Sequence, residues 1–231
     1  SEENRGFAGG NNLGTTVAKG RYLFFINNDA YIWEDEFGRL VRRMEHHPEI
    51  GGISPKILFS NPGDTIQFAG YTPLTRITLR NGLVGFGEQD CGQYDRAGET
   101  PYLHGAAMMI RREAAVRSGG MPECYFLYYE ELDWSCRIRE AGYTLWYDPA
   151  CRVFHKESRS TGQASPPRTF YLTRNRMLFA RRNRKGVVRA LSIGYLCMAV
   201  APRNMLRGLL RRRPDLAGAV GRGVSAYFRM K

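Results

Sequence analysis

The chain contains no uncharged apolar run long enough to cross a bilayer. Its longest, Ala190 to Ala201, is well short of the roughly 20 residues that a spanning helix requires. Residues 1–20 hold no apolar stretch behind a basic start, so nothing there resembles a secretory signal. The five cysteines, Cys91, Cys124, Cys136, Cys151 and Cys197, are odd in number and never show C-x-x-C spacing. That removes the usual zinc and redox frameworks and points to a reducing compartment. Acids are nearly absent from one end: residues 168–231 carry sixteen Lys and Arg against the single acid Asp215, while residues 1–167 hold a slight acidic excess. A basic segment of this kind seeks phosphates, on lipid headgroups or on nucleic acid. Its neutral positions are aliphatic rather than aromatic, which argues against stacking on bases and so against a nucleic-acid partner.

What is present is a chain of 231 residues with 43% hydrophobic content, enough for one sizeable core. The expected organisation is a catalytic domain over residues 1–166 and a basic helical tail over 167–231. Residues 9–18 read as a helix, and Tyr22 to Ile26 as a buried strand. Trp33 to His47 places Phe37, Leu40, Val41 and Met44 on one helical face before Pro48 ends it. Ile50 to Phe59 reads as a strand, Thr65 to Phe68 as a short one, and Ile77 to Val84 as a hairpin inside the long irregular segment 60–102. Helices follow at Arg111 to Ser118 and Glu130 to Ala141, then short strands at Tyr143 to Tyr147 and Arg152 to His155. Beyond Pro167 four helices are expected: Arg168 to Arg184, Val187 to Ala201, Arg203 to Arg212 and Asp215 to Phe228.

Three places carry chemistry. The strand Tyr22 to Ile26 stops at Asn27-Asn28-Asp29, and polar residues beyond the carboxyl end of a strand are where α/β sheets meet ligands. Asp29 is a candidate metal ligand, with Asn27 and Asn28 as hydrogen-bonding partners; the same triplet also fits an Asx-turn or a helix cap. Glu130, Glu131 and Asp133 open a helix, where a carboxylate could act as general base or simply complement the helix dipole or pair with Arg137. His155 ends an apolar strand before the polar stretch 155–162 and could complete a metal site; His104, beside Gly105-Ala106, is a second, weaker candidate. Gly9-Gly10-Asn11-Asn12-Leu13-Gly14 lacks G-x-G-x-x-G spacing and no strand precedes it, so a dinucleotide-binding oxidoreductase is a poor reading.

Taken in order, Asn4 to Gly14, Phe25 to Ala30, Gly105 to Arg112 and Tyr129 to Arg137 resemble glycosyltransferase family 2, most closely its rhamnosyltransferase-like branch. The resemblance spans residues 4 to 185. It implies an α/β GT-A fold, Rossmann-like, with a mixed sheet flanked by helices, and an inverting transfer assisted by Mg²⁺ or Mn²⁺. Asp29 inherits the metal role from the family's Asp-x-Asp position, with His155 completing the ion's shell. Glu131 falls on the catalytic base, with Glu130 and Asp133 as alternatives. Asn4, Gly6, Asn11, Asn27, Asn28, Gly105 and Ala106 fall on donor-binding segments. The family's opening strand and helix have no counterpart before Ser1, so an N-terminally truncated domain is expected.

The partners implied are a nucleotide-sugar donor, a glycan or lipid-linked acceptor and an anionic membrane surface. Met205, Leu206, Leu209 and Leu210 would enter the bilayer interface while Arg203, Arg207 and Arg211 to Arg213 meet headgroups. A cytoplasmic protein, peripheral at the inner face of the cell membrane, is the expected setting. The same tail also reads as a helix packed into a core through Tyr195, Leu196, Met198 and Val200. A non-catalytic binding protein descended from a transferase is the rival function.

Overall fold

A computed structural model describes residues 3–32, 36–156 and 165–230. The chain divides into two compact units. The first comprises Ser1–Pro73, Asn81–Glu123 and Glu130–Glu157; the second comprises Leu74–Arg80, Cys124–Tyr129 and Ser158–Lys231.

The first unit opens with α1 (Gly6–Val17), leads into β1 (Tyr22–Ile26) and β2 (Ala30–Tyr31), and crosses through α2 (Phe37–His46) to β3 (Ile50–Phe59). The expected start of α2 at Trp33 lies outside the described residues. Then come β4 (Ile66–Phe68), β5 (Gly98–Glu99), β6 (Ala107–Arg111), α3 (Arg112–Arg117), α4 (Glu130–Glu140) and β7 (Thr144–His155). The sheet order is β1-β6-β3-β7-β2, with β4 on β3 and β5 on β7. All pairings are antiparallel except β3 with β7.

Period-2 alternation divides the strand residues between two cores. Leu23, Phe25, Met108 and Ile110 face Ala8 of α1 and Trp134 and Ile138 of α4. Phe24, Ala107, Met109 and Ile53 face Leu40 and Met44 of α2. A sheet covered on both faces explains the continuous burial along β3. Gly51 is required there by close packing: a Cβ on it would stand 2.5 Å from Tyr143 Cβ and 2.8 Å from Ile138 Cγ2.

Three expectations are corrected. Thr144–His155 form one strand where two were expected, because the parallel partner β3 carries both halves across an irregularity between Pro55 and Lys56. The Asp148 side chain closes that irregularity by accepting from the Ala150 N–H at 2.9 Å. The hairpin is displaced: Tyr71 bridges Leu83, and Thr72 N–H donates to the Gly82 carbonyl at 2.9 Å, so its arms begin before residue 77. The long segment 60–102 is anchored from below by Lys56, 1% exposed, whose ammonium donates to Asp90 at 2.9 and 3.1 Å and to Asp95.

The second unit contains α5 (Pro166–Asn183), α6 (Gly186–Tyr195), α7 (Ala201–Leu210) and α8 (Pro214–Arg229). Ser165 caps α5 through Arg168 N–H, with Pro166 and Pro167 in its first turn. The third correction is here. The break expected near Pro202 is replaced by a π-helical turn, Leu196–Val200, that joins α6 to α7 and leaves Pro202 in the first turn of α7. Gly223 brings α8 against α5, since a Cβ there would lie 2.9 Å from the Phe170 carbonyl oxygen. Leu196 is 3% exposed, but Met198 is 77% exposed, so the core reading of the tail holds for the first and not the second. No helix among the described residues is long and apolar enough to cross a membrane.

Candidate active site

Since β1 and β3 are both antiparallel to β6, and β3 is parallel to β7, the strands β1, β3 and β7 all run the same way. Their carboxyl ends share one edge of the sheet, where β6 begins. Asn27-Asn28-Asp29 leaves β1 at this edge as a tight turn. Asn27 N–H donates to the Ala106 carbonyl at 3.0 Å, and Ala30 N–H donates back to the Asn27 carbonyl at 3.1 Å. β2 then pairs with the end of β7, Ala30 opposite His155, and Lys156 N–H donates to the Asp29 carbonyl at 3.0 Å.

This register sets Asp29 Oδ1 3.1 Å from His155 Nε2. His155 is buried, and its Nδ1 lies 2.8 Å from Gln67 Oε1. With Gln67 accepting, Nδ1 carries the hydrogen and Nε2 turns a lone pair outward, where the Asn27 amide approaches it at 3.3 Å. A carboxylate oxygen and an imidazole lone pair then face each other, an arrangement suited to a metal ion between them. This oxygen–nitrogen pair fits a divalent cation. Among the described residues no group of three or more His, Cys, Asp or Glu gathers to hold one.

The three acids of α4 have separate environments. Glu130 is 3% and Asp133 1% exposed, and Asp133 Oδ1 lies 3.3 Å from Arg137 Nε one turn along. Glu131 is half-buried and has the most access of the three. Its stem rises over the β6 approach: a Cβ on Gly105 would sit 3.7 Å from Glu131 Cγ and 3.9 Å from Phe7 Cε1. Gly105 therefore keeps open the space between Glu131 and the turn that carries Ala106.

Two aromatic neighbours complete this floor. Tyr71 stacks on His104 at 6.1 Å between ring centroids, and Phe68 tilts against the same imidazole at 5.0 Å. Burial pushes His104 down to about 3, with the nearby His155 adding to the shift, so its ring stays neutral at physiological pH. Its Nδ1 accepts from the Ala106 N–H at 3.1 Å, and its own N–H on the main chain donates to Ser54 Oγ at 3.0 Å. Burial first, and the Glu131 carboxylate second, hold the Tyr71 hydroxyl well above its usual range.

Asn27, Asp29, Gly105, Ala106 and His155 are thus brought to one sheet edge, with Glu131 beside Gly105. Asn28 is exposed in the same turn. Asn4, Gly6 and Asn11 stay with α1: Asn4 Oδ1 accepts from Gly6 N–H at 3.0 Å, and the Asn11 amide donates to the Phe7 carbonyl at 2.9 Å. Sequence reasoning missed Gln67 and Tyr71. The available signal for Gln67 was one amide between the buried Ile66 and Phe68, and a single polar residue in a three-residue strand is a faint one.

Within the second unit, residues 124–129 lead covalently into Glu130. Phe126, Tyr128 and Tyr129 have φ of 67°, 69° and 78°, left-handed values unusual for aromatic residues. Fully buried Asn175 sustains them, its amide donating to the carbonyls of Tyr125, Leu127 and Tyr128 at 3.1, 2.7 and 2.9 Å. The Arg174 guanidinium also donates to the Tyr125 carbonyl.

A family model described as Glycosyl transferase family 2 matches residues 1–117. Among curated relatives, an N-acetylglucosaminyl-diphospho-decaprenol L-rhamnosyltransferase of Mycobacterium tuberculosis is 37% identical over 62 residues, 27% of this chain and 20% of that protein. The uncharacterized protein y4gI of Sinorhizobium fredii is 24% identical over 68% of this chain and 18% of its own length. The chain spans about a fifth of the length of these relatives. Among solved structures, GalNAc-T7 with UDP, GalNAc and Mn²⁺ aligns with a TM-score of 0.56 at 16% identity, over 93% of this chain and 46% of that one. The mannosyltransferase PcManGT from Pyrobaculum calidifontis, in complex with GDP-Man and Mn²⁺, aligns at 0.53 and 13% identity, over 98% and 68%. These likenesses show the GT-A fold.

Proposed function

The chain belongs to glycosyl transferase family 2, and from that premise we propose that it transfers a sugar, with inversion, from a nucleoside-diphosphate donor to a hydroxyl of a lipid-linked or polysaccharide acceptor. The observation that carries this reading is the approach of Asp29 Oδ1 to His155 Nε2 at 3.1 Å, on the edge of the sheet where Glu131 stands over Gly105. Asp29 and His155 would hold Mg²⁺ or Mn²⁺, the remaining positions falling to donor phosphates and water. A bound divalent cation supplies positive charge to the departing diphosphate. Gln67 fixes the His155 ring, as a hydrogen-bonded neighbour does for a ligating imidazole.

Glu131 acts as general base, taking the acceptor hydroxyl proton while that oxygen bonds to the anomeric carbon and the bond to the diphosphate oxygen breaks. Displacement from the opposite face inverts the anomeric centre. Glu130 and Asp133, both buried, support the helix start rather than the substrate. Asn27, Asn28, Gly105 and Ala106 line the donor's approach, and Asn4, Gly6 and Asn11 contribute from α1. The lipid-linked acceptor is favoured by the diphospho-decaprenol substrate in the name of the mycobacterial relative. The reading includes a peripheral position on an anionic cytoplasmic membrane face, and Met205, Leu206, Leu209 and Leu210, exposed on α7 among arginines, support the membrane contact.

The test is donor consumption by the chain with a panel of nucleotide sugars in Mg²⁺ or Mn²⁺, and the anomeric configuration of the product by NMR. Turnover that stops in chelator and in Asp29→Ala supports the reading. Turnover indifferent to both, or a retained configuration, contradicts it.

A further inference from the structure

The end of β1 remote from Asn27 carries a second concavity. Tyr22 opens β1 opposite Arg111, the last residue of β6, and Arg112 starts α3 directly after it. At about 3.3 Å per residue, this end lies roughly 16 Å from Asn27. An open cavity of about 520 Å³ is lined there by Arg21, Tyr22, Arg111 and Arg112, and by the face of α3 that carries Glu113, Val116 and Arg117. Its size is that of a small-molecule site.

Two of the four arginines are fixed from behind. Arg111 donates from Nε to the Ile50 carbonyl and from Nη2 to those of Met44 and His47, where α2 ends. Arg112 donates from Nε and Nη2 to the carbonyls of Gly20 and Ala18, just beyond α1. Each guanidinium keeps its Nη1 donors, and neither Nη1 is among the sealed, unpaired atoms of the described residues. Arg21 and Arg117 stand at the rim with side chains 80% and 59% exposed, each paired with one carboxylate, Glu45 and Glu113, at 2.6 Å. Four guanidinium charges against two carboxylates leave a surplus of two. A phosphomonoester, at about −1.5 to −2 near neutral pH, matches that surplus, and its oxygens accept the parallel N–H groups of an arginine fork.

The remaining lining is aromatic and apolar. The guanidiniums of Arg21 and Arg111 lie over the Tyr22 ring at 5.7 and 5.4 Å from its centroid, and Val116 is 74% exposed. Bare phosphate would leave this surface in water, whereas guanidinium planes and a phenol ring are stacking partners for a planar base. We propose that the cavity binds a nucleoside monophosphate, with its phosphate on Arg111, Arg112 and Arg117 and its base against Tyr22, Arg21 and Val116. The site shares no residue with the sheet edge that carries Asp29 and His155, and the inference does not rest on the transfer reaction.

The test is equilibrium binding to the full chain by calorimetry, in chelator and without any nucleotide sugar. The probes are AMP, ribose 5-phosphate, adenosine and inorganic phosphate. AMP is expected to bind at least about tenfold tighter than each of the others, because stacking of the base and charge on the phosphate both contribute. Arg117→Glu should weaken AMP by about tenfold or more, the value of a hydrogen bond to a charged group. Val116→Glu, which sets a carboxylate into the cavity from an exposed position, should weaken it comparably and carries the test if Arg117→Glu fails to fold. Asp29→Ala should leave AMP binding unchanged. Absence of AMP binding to the wild type, or equal affinity in wild type and Val116→Glu, would overturn the proposal. So would loss of binding in Asp29→Ala, which would place the nucleotide at the other end of β1, or inorganic phosphate binding as tightly as AMP, which would mark a site for bare anions.

Discussion

In the sheet unit, Leu23, Phe25, Ile53 and Ile57 are at most 8% exposed, and polar side chains collect at the edge where three strands end; on α7 of the helical unit, Leu206, Leu209 and Leu210 stand 56–77% exposed between arginines. Burying a leucine side chain is worth about 1.5–3 kcal/mol, so a helix that leaves three of them in water is unfavourable unless something covers them. The sheet unit buries the apolar residues of its central strands and gathers polar side chains at one edge, its exposed apolar residues, such as Val17 and Val116, standing singly on its helices. The helical unit leaves an apolar, cationic face. The contrast is the physical basis of the two proposals: a donor site at the polar strand edge of the first unit and a membrane contact along the exposed leucines of the second.

The sharpest break in that comparison is chemical. Glu131→Gln keeps the shape of the sheet edge and removes the proposed base, and donor turnover to acceptor should fall by about 10²–10⁴-fold, as for other general bases. Steady-state rates and thermal midpoint measured together check it; a full rate would return the α4 acids to a purely structural role. Next in size is Lys56→Met, which strands the Asp90 and Asp95 carboxylates beneath the 60–102 segment. Urea unfolding should register a loss of about 1.5–3 kcal/mol, the value of hydrogen bonds to a charged group, because Asp95, 61% exposed, can return to water.

Within the helical unit, Asn175→Ala releases three carbonyls of a backbone already in left-handed conformations. A loss of about 1–3 kcal/mol is expected, with faster amide hydrogen exchange over residues 125–131. Unchanged exchange there would show that the aromatic packing, not the amide, sustains the loop. The smallest effect on folding belongs to Leu206→Glu. Stability should move by less than about 0.5 kcal/mol, as for exposed sites. Sedimentation with vesicles of anionic lipid should nonetheless fall by about tenfold, because one leucine's burial energy is lost and a like charge is added. Equal sedimentation would leave the exposed face of α7 without the membrane role.

The same contrast explains what could be read from the chain alone. β3 was legible as ten apolar-rich residues after Pro48, and α4 as a helix because its acids precede an apolar stripe and Gly142 ends it. β6 was not foreseen, because Ala107 to Ile110 is buried on both faces and shows neither helical nor strand periodicity. β7 was divided because Asp148-Pro149 looks like a terminator. Its continuity depends on pairing with β3, a long-range fact no local pattern contains. The site followed the same rule. Asp29 and His155 were visible as polar residues ending apolar runs, whereas Gln67 and Tyr71 matter only through rings and oxygens brought to them by the sheet. The π turn was invisible because Pro202 normally reads as a helix boundary.

The account rests most on one pair of side chains, and Mn²⁺ binding followed by electron paramagnetic resonance in the presence of a nucleoside diphosphate tests that pair directly. A single ion is expected to bind the full chain, to be lost in Asp29→Ala and His155→Ala, and to bind about 10–100-fold more weakly in Gln67→Ala, where the imidazole loses its orienting partner. Mn²⁺ affinity unchanged in Asp29→Ala and His155→Ala would contradict it.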